Sequence, residues 1–552
     1  MAITNKDLED DLDKRLSQIR DKEVDSEFSS LAKQRGLTFS DLKRIPISTD
    51  ALNIIDKETS RKANIAIISK RIRSLVLAVL DPEDPETQLV IKDLESKGFK
   101  VNSIITTPDG LESAWARYDL GKIKKRVELG AIEMTEEALT ALKEKIGEIS
   151  DAKEMVTGVP VTQALDVIVA GAIKFQASDI HFEPELKSTK LRYRIDGILK
   201  DLMVMDTPSY TKIMNRVKVI SKLKINVHSA PQDGRFTIRE GGTGIEVRVS
   251  ILPSEYGETI VMRLLDPRTI KQGLEDLGIR KDLLEEIKKQ LGKPNGAILT
   301  TGPTGSGKTT ALYAFVNYLN NPESKILTIE DPIEYHVDGV SQTQVDPKKG
   351  YDFSNGLRSI VRQDPDIILV GEIRDADTAE TAINASLTGH LVLSTLHTND
   401  AAGTIPRLIE MKVKPELISP AINMALGQRL IRKLCNKCKR SSFPSEEDIV
   451  KIKSALDPIT NRLSLKEVDS KTEIFEPVGC VECHNEGYKG RIGVFEGFTS
   501  NRDMEKLILK NPTISEVRDL AVSQGMITML QDAYIKVIEG ITTIKEIERI
   551  IQ

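Results

Sequence analysis

One glycine-rich segment constrains the fold of this 552-residue chain more than any other feature. The apolar run 297–299 before it predicts a strand, and residues 310–319 after it predict a helix. A strand, a glycine-rich turn and a helix in this order wrap backbone N–H groups around phosphate. The segment therefore predicts a phosphate-binding loop in a parallel α/β sheet. It matches G-x-x-x-x-G-K-[ST] and consists of Gly302, Pro303, Thr304, Gly305, Ser306, Gly307, Lys308 and Thr309.

Three residues at the end of this loop have predicted roles in nucleotide binding. Lys308 is expected to reach the β- and γ-phosphates, and the Thr309 hydroxyl is expected to ligate Mg²⁺. Thr310 opens the predicted helix and is grouped with the nucleotide-binding residues. A chance glycine-rich loop is the alternative, but the flanking strand and helix argue against it.

Polar groups follow three further apolar runs in the same region. Short apolar strands that alternate with helical segments indicate a parallel sheet. In such sheets, ligands bind beyond the carboxyl ends of the strands. We therefore expect these ends and the phosphate-binding loop to meet at one site. The runs are 326–329, 367–370 and 391–394, and the polar groups behind them are Glu330 and Glu334, Glu372, and His397.

The acidic residues at these strand ends are candidates for catalysis. Glu372 is expected to hold Mg²⁺ directly or through water, although an Asp is commoner at the strand end, where this chain has Gly371. Glu334 or Glu330 is expected to orient or deprotonate the attacking water. For Glu330, a turn formed with Asp331 is an equally good interpretation. His397 and His390 are expected to sense the γ-phosphate through a hydrogen bond.

The four cysteines of the chain form two C-x-x-C pairs. Four thiolates in two such turns suit tetrahedral Zn²⁺, and a site with four protein ligands has no open position for catalysis. The long spacer requires an inserted lobe to bring the pairs together. A redox pair and c-type haem attachment, which the sequence C-x-x-C-H also permits, are the alternatives. The pairs are Cys435 with Cys438 and Cys480 with Cys483.

The remaining chain predicts three regions before the phosphate-binding domain. Residues 1–120 indicate a small α/β domain, which begins with an amphipathic helix that packs on its own domain or docks a partner. Residues 121–155 read as a charged helical linker. Residues 156–270 predict an antiparallel sheet with helices, and they contain several arginines that either solvate a face or contact phosphates across an interface. These are Arg192, Arg194, Arg235, Arg239, Arg248 and Arg263.

Composition and charge exclude several classes of protein. Lys and Arg number 78 against 83 Asp and Glu, so nonspecific nucleic-acid binding is not expected. The aromatic content of 4% also argues against a nucleic-acid translocase, which needs stacking residues. No apolar stretch approaches the ~20 residues of a membrane helix, and the acidic start is unlike a signal peptide. These features predict a cytoplasmic protein.

The motifs together resemble the secretion-ATPase superfamily that drives type II secretion and type IV pilus assembly. The resemblance extends over about residues 155–552. The tetracysteine insert, residues 434–492, and the long N-terminal region are similar to the assembly and export branch. In chain order the motifs are Ser178-Asp179-Ile180-His181, Gln232-Asp233-Gly234-Arg235, the phosphate-binding loop, 328–334, 364–375 and 387–398.

This resemblance implies a cytoplasmic homo-hexamer that hydrolyses ATP with Mg²⁺ and docks on an inner-membrane platform protein and an adaptor. It implies a RecA-like ATPase domain at 271–552 with a zinc-binding insert. A PAS-like α+β domain and the small N-terminal domain precede it. The family's two acidic motifs then fall on Glu330, Asp331 and Glu334 and on Glu372. Its histidine motif falls on His390 and His397. Its phosphate-contacting arginines match Arg235, Arg248 and Arg263. A non-hydrolysing scaffold that only switches with nucleotide is an alternative, as is a translocase.

Overall fold

The computed structural model describes most of the chain, in two compact units, Met1–Ala131 and Ile132–Gln552. The described residues are 24–124 without 43, 44, 46, 48, 53, 72 and 73; 131–132; seven positions between 140 and 156; and 161–551 without 241, 242 and 270–272. Most of the predicted N-terminal helix and of the predicted linker 121–155 lies outside the described residues.

The first unit is a small α/β fold around a four-stranded sheet in the order β1-β4-β3-β2. Strands β1, β4 and β3 run parallel and β2 is antiparallel to β3. Helices cover both faces, so strand positions such as Leu75 and Leu77 are fully buried. The elements are β1 (Thr38–Phe39), α1 (Thr49–Leu52), α2 (Lys57–Lys62), β2 (Ile65–Arg71), β3 (Ser74–Val79), α3 (Pro85–Ser96), β4 (Lys100–Ile105) and α4 (Pro108–Lys124).

An antiparallel sheet opens the second unit, as the sequence predicts for this region. Its order is β5-β9-β10-β11-β6-β7-β8. The elements are β5 (Ala131–Ile132), α5 (Val161–Lys174), β6 (Asp179–Pro184), β7 (Ser188–Ile195), β8 (Ile198–Asp206), α6 (Thr207–Ile220), β9 (Gln232–Glu240), β10 (Thr243–Ser254) and β11 (Gly257–Leu265).

The two faces of this antiparallel sheet differ in chemistry. Along β7, buried Leu191 and Tyr193 alternate with the more accessible Arg192 and Arg194. The Tyr193 hydroxyl donates a hydrogen bond of 2.5 Å to the Ile168 carbonyl, so the apolar face packs on α5. The period of two therefore places the polar side chains together on the opposite face. We call this element the arginine-bearing sheet.

A seven-stranded sheet in the order β14-β13-β15-β16-β12-β17-β20 forms the centre of the second unit. All neighbours are parallel except β17 and β20. Strands β12, β13, β15 and β16 are buried at every position, because helices cover both faces. The predicted parallel α/β sheet is thus confirmed. Its strands are β12 (Gly296–Thr301), β13 (Ile326–Glu330), β14 (Ser341–Gln344), β15 (Ile367–Val370), β16 (Leu391–Leu396), β17 (Ile422–Leu434) and β20 (Tyr488–Thr499).

Helices flank this parallel sheet, and a lobe is inserted between its last two strands. The lobe contains β18 (Arg440–Ser442), α13 (Glu446–Leu463) and β19 (Ile474–Glu476). None of the helices in the described parts of the chain is long and apolar enough to span a membrane. The flanking helices are α7 (Lys281–Leu291), α8 (Lys308–Leu319), α9 (Phe353–Val361), α10 (Ala376–Leu387), α11 (Thr404–Glu410), α12 (Pro415–Ala421), α14 (Arg502–Ile508), α15 (Ile514–Ser523), α16 (Met529–Ile538) and α17 (Ile544–Ile550).

Candidate functional site

The phosphate-binding loop connects β12 to α8 and depends on glycine at two positions where a side chain does not fit. Gly302 has φ +146°, and a Cβ there would lie 2.4 Å from the Gln428 carbonyl oxygen. Gly307 has φ +87° and forms the N-cap of α8, where a Cβ would lie 2.8 Å from the Gln428 side chain. The loop therefore passes close to β17 with its backbone unshielded, and the helix N-terminus faces the space above it.

Lys308 folds back over this loop. Its ammonium donates hydrogen bonds to the carbonyl oxygens of Gly302 at 2.7 Å and Pro303 at 3.0 Å. The side chain is largely buried, and burial lowers the pKa of the ammonium, an effect that the nearby Glu372 carboxylate opposes. A buried cation whose hydrogen bonds go to carbonyl oxygens is a ready partner for an anionic phosphate.

The carboxyl ends of four neighbouring strands converge beside this loop, as expected. A cavity of about 450 Å³ lies there. Its wall combines phosphate-binding residues with acidic, basic and histidine side chains from β13, β15, β16 and the arginine-bearing sheet. They include Thr304, Gly305, Ser306, Gly307, Lys308, Thr309, Thr310, Glu330, Glu334, Glu372, Arg374, His397 and Arg263.

Glu372 follows β15 and has two basic partners in the cavity. One oxygen lies 3.1 Å from Nε2 of His397, and the other forms an ion pair with Arg374. Burial by itself would raise the pKa of Glu372, but the hydrogen bonds from Arg374 and His397 outweigh it and hold the pKa below its usual range. The carboxylate is therefore ionised near neutral pH and is suited to a divalent cation. Arg374 was not among the residues selected from the sequence.

Glu334 lies on the loop after β13 and contacts the arginine-bearing sheet. Nη1 of Arg248 lies 3.2 Å from its carboxylate, and Nη2 donates to the Ile333 carbonyl at 2.8 Å. The Glu334 side chain is about one-third exposed at 30%. The Glu334 carboxylate is thus accessible from the cavity, and an arginine outside the parallel sheet holds it in place.

Glu330 is placed differently from the other two carboxylates. Its relative exposure is 3%, and it accepts hydrogen bonds from Thr328 at 2.5 Å, Gln342 at 3.2 Å and the Tyr313 hydroxyl. The Tyr335 ring stacks on Tyr313 at 4.1 Å. Burial and the adjacent Glu330 raise the pKa of Tyr313, so the phenol stays a donor. The group acts as an internal hydrogen-bond centre between α8, β13 and β14.

The structure does not bring His390 to this cavity. His390 precedes Leu391, which pairs with Gly296 at the first position of β12, whereas the phosphate-binding loop follows the last position, Thr301. Six residues of strand separate them, which is about 20 Å. The His390 Nδ1 atom lies 2.9 Å from the Ala385 carbonyl oxygen. The expectation that His390 senses the γ-phosphate of this chain's site is therefore corrected, because the residue stands at the opposite edge of the sheet.

Arg235, Arg248 and Arg263, which the family resemblance implies as phosphate-contacting arginines, form one row across the arginine-bearing sheet. Arg248 on β10 pairs in register with Arg235 on β9 and with Arg263 on β11. The row continues through Asp179 on β6 to Arg194 on β7. Asp179 accepts a hydrogen bond of 2.9 Å from Nε of Arg263 and lies 3.3 Å from Nε of Arg194. The buried Asp179 thereby anchors two arginines, a role that the sequence pattern alone does not reveal.

Within the row, the arginines differ in exposure. Arg263 is 59% exposed and lines the nucleotide cavity, whereas Arg248 is 23% exposed and contacts Glu334 and Ile333 in the loop after β13. Arg235 is 71% exposed and lies 3.6 Å from Glu246. The structure thus brings Arg263 to this chain's own cavity and Arg248 to the Glu334 carboxylate, and it leaves Arg235 at the end of the row.

The four cysteines converge at the base of the inserted lobe. Their sulfurs lie within 4.8 Å of one another, with 3.8 Å between Cys435 and Cys480 and 3.7 Å between Cys438 and Cys483. Zn²⁺ at 2.3 Å from four tetrahedral sulfurs separates them by about 3.8 Å, so the residues fit this metal. The backbone N–H groups of Cys480 and Gly487 each donate to the Cys483 sulfur at 3.2 Å. Burial alone would raise the pKa of Cys483, but these N–H groups lower it to about 7.

Comparison with known proteins places the chain among secretion proteins. The profile of the family described as "Type II/IV secretion system protein" matches residues 154–549. The type IV pilus assembly ATPase PilB of Myxococcus xanthus is 34% identical over 519 residues, covering 94% of this chain and 89% of that protein. The type II secretion system protein E of Pseudomonas aeruginosa is 41% identical over 414 residues, covering 75% and 80%.

A solved structure supports the fold. The ATPase DotB of Legionella pneumophila aligns with a TM-score of 0.50 and 20% identity, over 70% of this chain and 94% of that one. The profile match covers most of the chain, and the first relative spans nearly all of it. The family predicted from the motifs is thus confirmed: the chain belongs to the type II/IV secretion system proteins, a family of ATPases.

Proposed function

We propose that this chain is the hexameric motor ATPase of a type IV pilus or type II secretion machine. It would act in the cytoplasm at the inner membrane and work on an inner-membrane platform protein, together with an adaptor. The observation that carries this proposal is the convergence of Lys308, Glu334, Glu372 and His397 on one cavity beside the phosphate-binding loop. Loss of the lysine or of the acidic residues would favour a non-hydrolysing scaffold, and this cavity retains Lys308, Glu334 and Glu372.

Each residue has a role that follows from its position. Lys308 leaves the carbonyls of its own loop and pairs with the β- and γ-phosphates. The Thr309 hydroxyl and Glu372 would hold Mg²⁺, which would neutralise charge on the phosphates. Glu334 orients the water that attacks the γ-phosphate in line, and His397 keeps Glu372 ionised and turned toward the cavity. Glu330 positions the strand end rather than touching the water, since its oxygens are occupied.

The arginine row supplies positive charge from outside the parallel sheet. Arg263 lines this chain's cavity and would meet the phosphates of a bound nucleotide, and Arg248 pairs with Glu334. Arg235 is exposed and is available to the site of a neighbouring subunit in a ring. Closing and opening of the arginine-bearing sheet against the parallel sheet would then couple hydrolysis to movement of the platform protein.

The proposal includes the division into domains. Residues 1–120 form the N-terminal domain, 121–155 the linker, 156–270 a PAS-like domain and 271–552 a RecA-like ATPase domain, with the zinc-binding insert at 434–492. The antiparallel sheet and the parallel sheet support the last two assignments. Zinc in the insert is structural, because four cysteines complete its coordination.

Two substitutions test the proposed activity. We expect Lys308→Ala and Glu372→Gln each to lower steady-state phosphate release by at least about 100-fold, because each removes a group that stabilises charge in the transition state. Lys289→Ala is the matched control, since this lysine is 73% exposed and remote from the cavity. Parent-like turnover in both variants would refute the assignment, and a parent protein that binds ATP without releasing phosphate would indicate a scaffold. Turnover that DNA stimulates would indicate a translocase.

A further inference from the structure

The turn that follows the second cysteine pair makes three different interactions, two with the arginine-bearing sheet and one with the segment between α5 and β6. The Gly490 N–H donates a hydrogen bond of 2.9 Å to the Asp196 carboxylate. Glu486 forms an ion pair with Lys200. The His484 ring meets the Phe175 ring edge to face, with 4.6 Å between the ring centroids and an angle of 87°. We call residues 484–490 the cysteine turn and these three contacts the clamp.

On the side of the cysteines, backbone hydrogen bonds tie the cysteine turn to the cysteine cluster. The cysteine turn begins directly after Cys483, and the Gly487 N–H donates to the Cys483 sulfur at 3.2 Å. Gly487 in turn accepts the Cys435 N–H at 2.9 Å, which ties the turn to the first cysteine pair. The positions of His484, Glu486 and Gly490 are therefore set by the geometry of the cysteine cluster.

On the other side, the clamp leads to the arginine row. Asp196 occupies the tight turn between β7 and β8, with φ +49°. It lies two residues after Arg194, which pairs with Asp179, and Asp179 holds Arg263. Arg263 lines the nucleotide cavity. A continuous series of contacts thus joins the cysteine cluster to a cationic group at the phosphate-binding loop.

The clamp also closes one end of a cleft that opens onto the phosphate-binding loop. This cleft encloses a cavity of about 970 Å³ between the arginine-bearing sheet and the parallel sheet. Asp196 and Gly490, which form the hydrogen bond of the clamp, line one part of it, and Gly307 and Thr310 of the nucleotide-binding segment line another. Any rotation of the arginine-bearing sheet that widens the cleft at this end must break the clamp.

We propose that Phe175, Asp196 and Lys200 are positioning residues for ATP hydrolysis. Through the cysteine turn they hold the arginine-bearing sheet against the inserted lobe, and this fixes the arginine row at the phosphate-binding loop. The inference rests on the proposed function. The inference gives the insert a mechanical role. The insert carries the cysteine turn, and this turn contacts the arginine-bearing sheet when the nucleotide cleft is closed.

A charge exchange tests this proposal. We expect Lys200→Glu and Glu486→Lys each to lower the rate of phosphate release at saturating ATP about three- to tenfold, because the like charges open the clamp. The double variant Lys200→Glu/Glu486→Lys restores the rate to within about twofold of the parent. Zinc content and binding of a fluorescent ATP analogue stay at parent values in all three. Lys190→Glu is the control, because Lys190 pairs with Glu185 in the same sheet but does not face the cysteine turn.

Hydrogen exchange provides a readout that is independent of activity. In Asp196→Ala the Gly490 amide loses its acceptor, and we expect its exchange to accelerate at least about tenfold. Asp196→Asn retains a carbonyl oxygen and is expected to keep most of the protection.

The clamp is overturned if both single charge variants turn over like the parent, or if the double variant is no better than the singles. Unchanged Gly490 exchange in Asp196→Ala also overturns it. A parent protein that hydrolyses no ATP contradicts the proposed function instead, and the exchange experiment then still decides whether the contact exists.

Discussion

At the residue scale, three glutamates at or near strand ends of one sheet have acquired three different environments. Glu372 is ionised and paired with Arg374 and His397. Glu334 is 30% exposed and forms an ion pair with Arg248. Glu330 is buried among neutral hydrogen-bond donors. Residue type and spacing along the sequence do not distinguish the environments of these three carboxylates. Burial and partners separate them, because a carboxylate is useful to a metal or a water only if its oxygens are not already satisfied.

The buried Glu330 predicts a stability effect for its neighbour. Tyr313→Phe removes one of three donors to a carboxylate that is 3% exposed, and we expect a loss of about 1–3 kcal/mol in the free energy of unfolding. Denaturant titration measures it, and Tyr318→Phe on the same helix is the control because Tyr318 is 50% exposed. Glu330→Gln should lower the free energy of unfolding less in the Tyr313→Phe background than in the parent. Fully additive losses would contradict the coupling between Tyr313 and Glu330.

The lowered pKa of Glu372 predicts a pH dependence. A carboxylate whose pKa is lower in the folded than in the unfolded chain adds stability that is fully present above its ordinary value of 4.5 and is lost as the pH falls through the folded value. We therefore expect the difference in unfolding free energy between the parent and Glu372→Gln to be largest from pH 5 to 7 and to shrink at more acidic pH. Denaturant titrations across the pH range measure this, with the exposed Glu323→Gln as control. A difference that grows on acidification would contradict the assignment.

At the element scale, the inserted lobe depends on a two-stranded ribbon. Strands β17 and β20 are 13 and 12 residues long and extend from the parallel sheet to the cysteine cluster. Buried charge holds the ribbon to the last helix: Arg432 on β17 lies 2.8 Å from the fully buried Glu546 of α17. The cysteine pairs are thus brought together by a framework that exists independently of the residues between them.

The geometry of the cluster predicts its metal content. We expect about one equivalent of zinc per chain in purified protein, lost in Cys435→Ser and Cys480→Ser, because three thiolates do not complete the site. His484→Gln is the matched control and is expected to retain zinc, since the His484 ring packs on Phe175 although it follows Cys483 directly. Metal analysis by mass spectrometry decides the outcome. Iron or haem absorbance in place of zinc would refute the structural-zinc assignment.

At the scale of the whole molecule, the nucleotide cavity receives charged groups from two sheets, one parallel and one antiparallel. The parallel sheet contributes the phosphate-binding loop and the carboxylates, and the antiparallel sheet contributes the arginine row. Arg235 lies in the same row, is 71% exposed and lies 3.6 Å from the Glu246 carboxylate. In the proposed ring, the exposed Arg235 would be free to reach the site of a neighbouring subunit.

The proposed ring predicts a change in mass with nucleotide. Glu334→Gln is expected to bind MgATP while hydrolysing it slowly, so we expect this variant to sediment at six times the chain mass with MgATP and at a lower mass without nucleotide. Arg235→Ala added to Glu334→Gln should weaken the assembly, whereas Lys289→Ala should not. A species other than six subunits, or a mass that does not respond to MgATP, would contradict the hexamer.

Much of the site was predictable from the sequence, because its signals are local. The phosphate-binding loop, the apolar strands behind it and the two C-x-x-C pairs are patterns within a few residues, and the structure assembles all of them. The prediction for His390 failed because two histidines seven positions apart in one motif can lie at opposite ends of the same strand. Arg374 falls within the motif 364–375 and Tyr313 within the predicted helix 310–319, but neither was selected. Both become important only through the carboxylate that they contact.

By itself, then, the sequence determined the nucleotide-binding loop, the parallel sheet and the four-thiolate ligand set, because covalent spacing and hydrophobic period act over short distances. The tertiary structure decided which glutamate is open to the cavity, which arginines share a row and where the cysteine turn meets Asp196. These depend on strand register and on burial, which are set only when segments distant along the chain pack together.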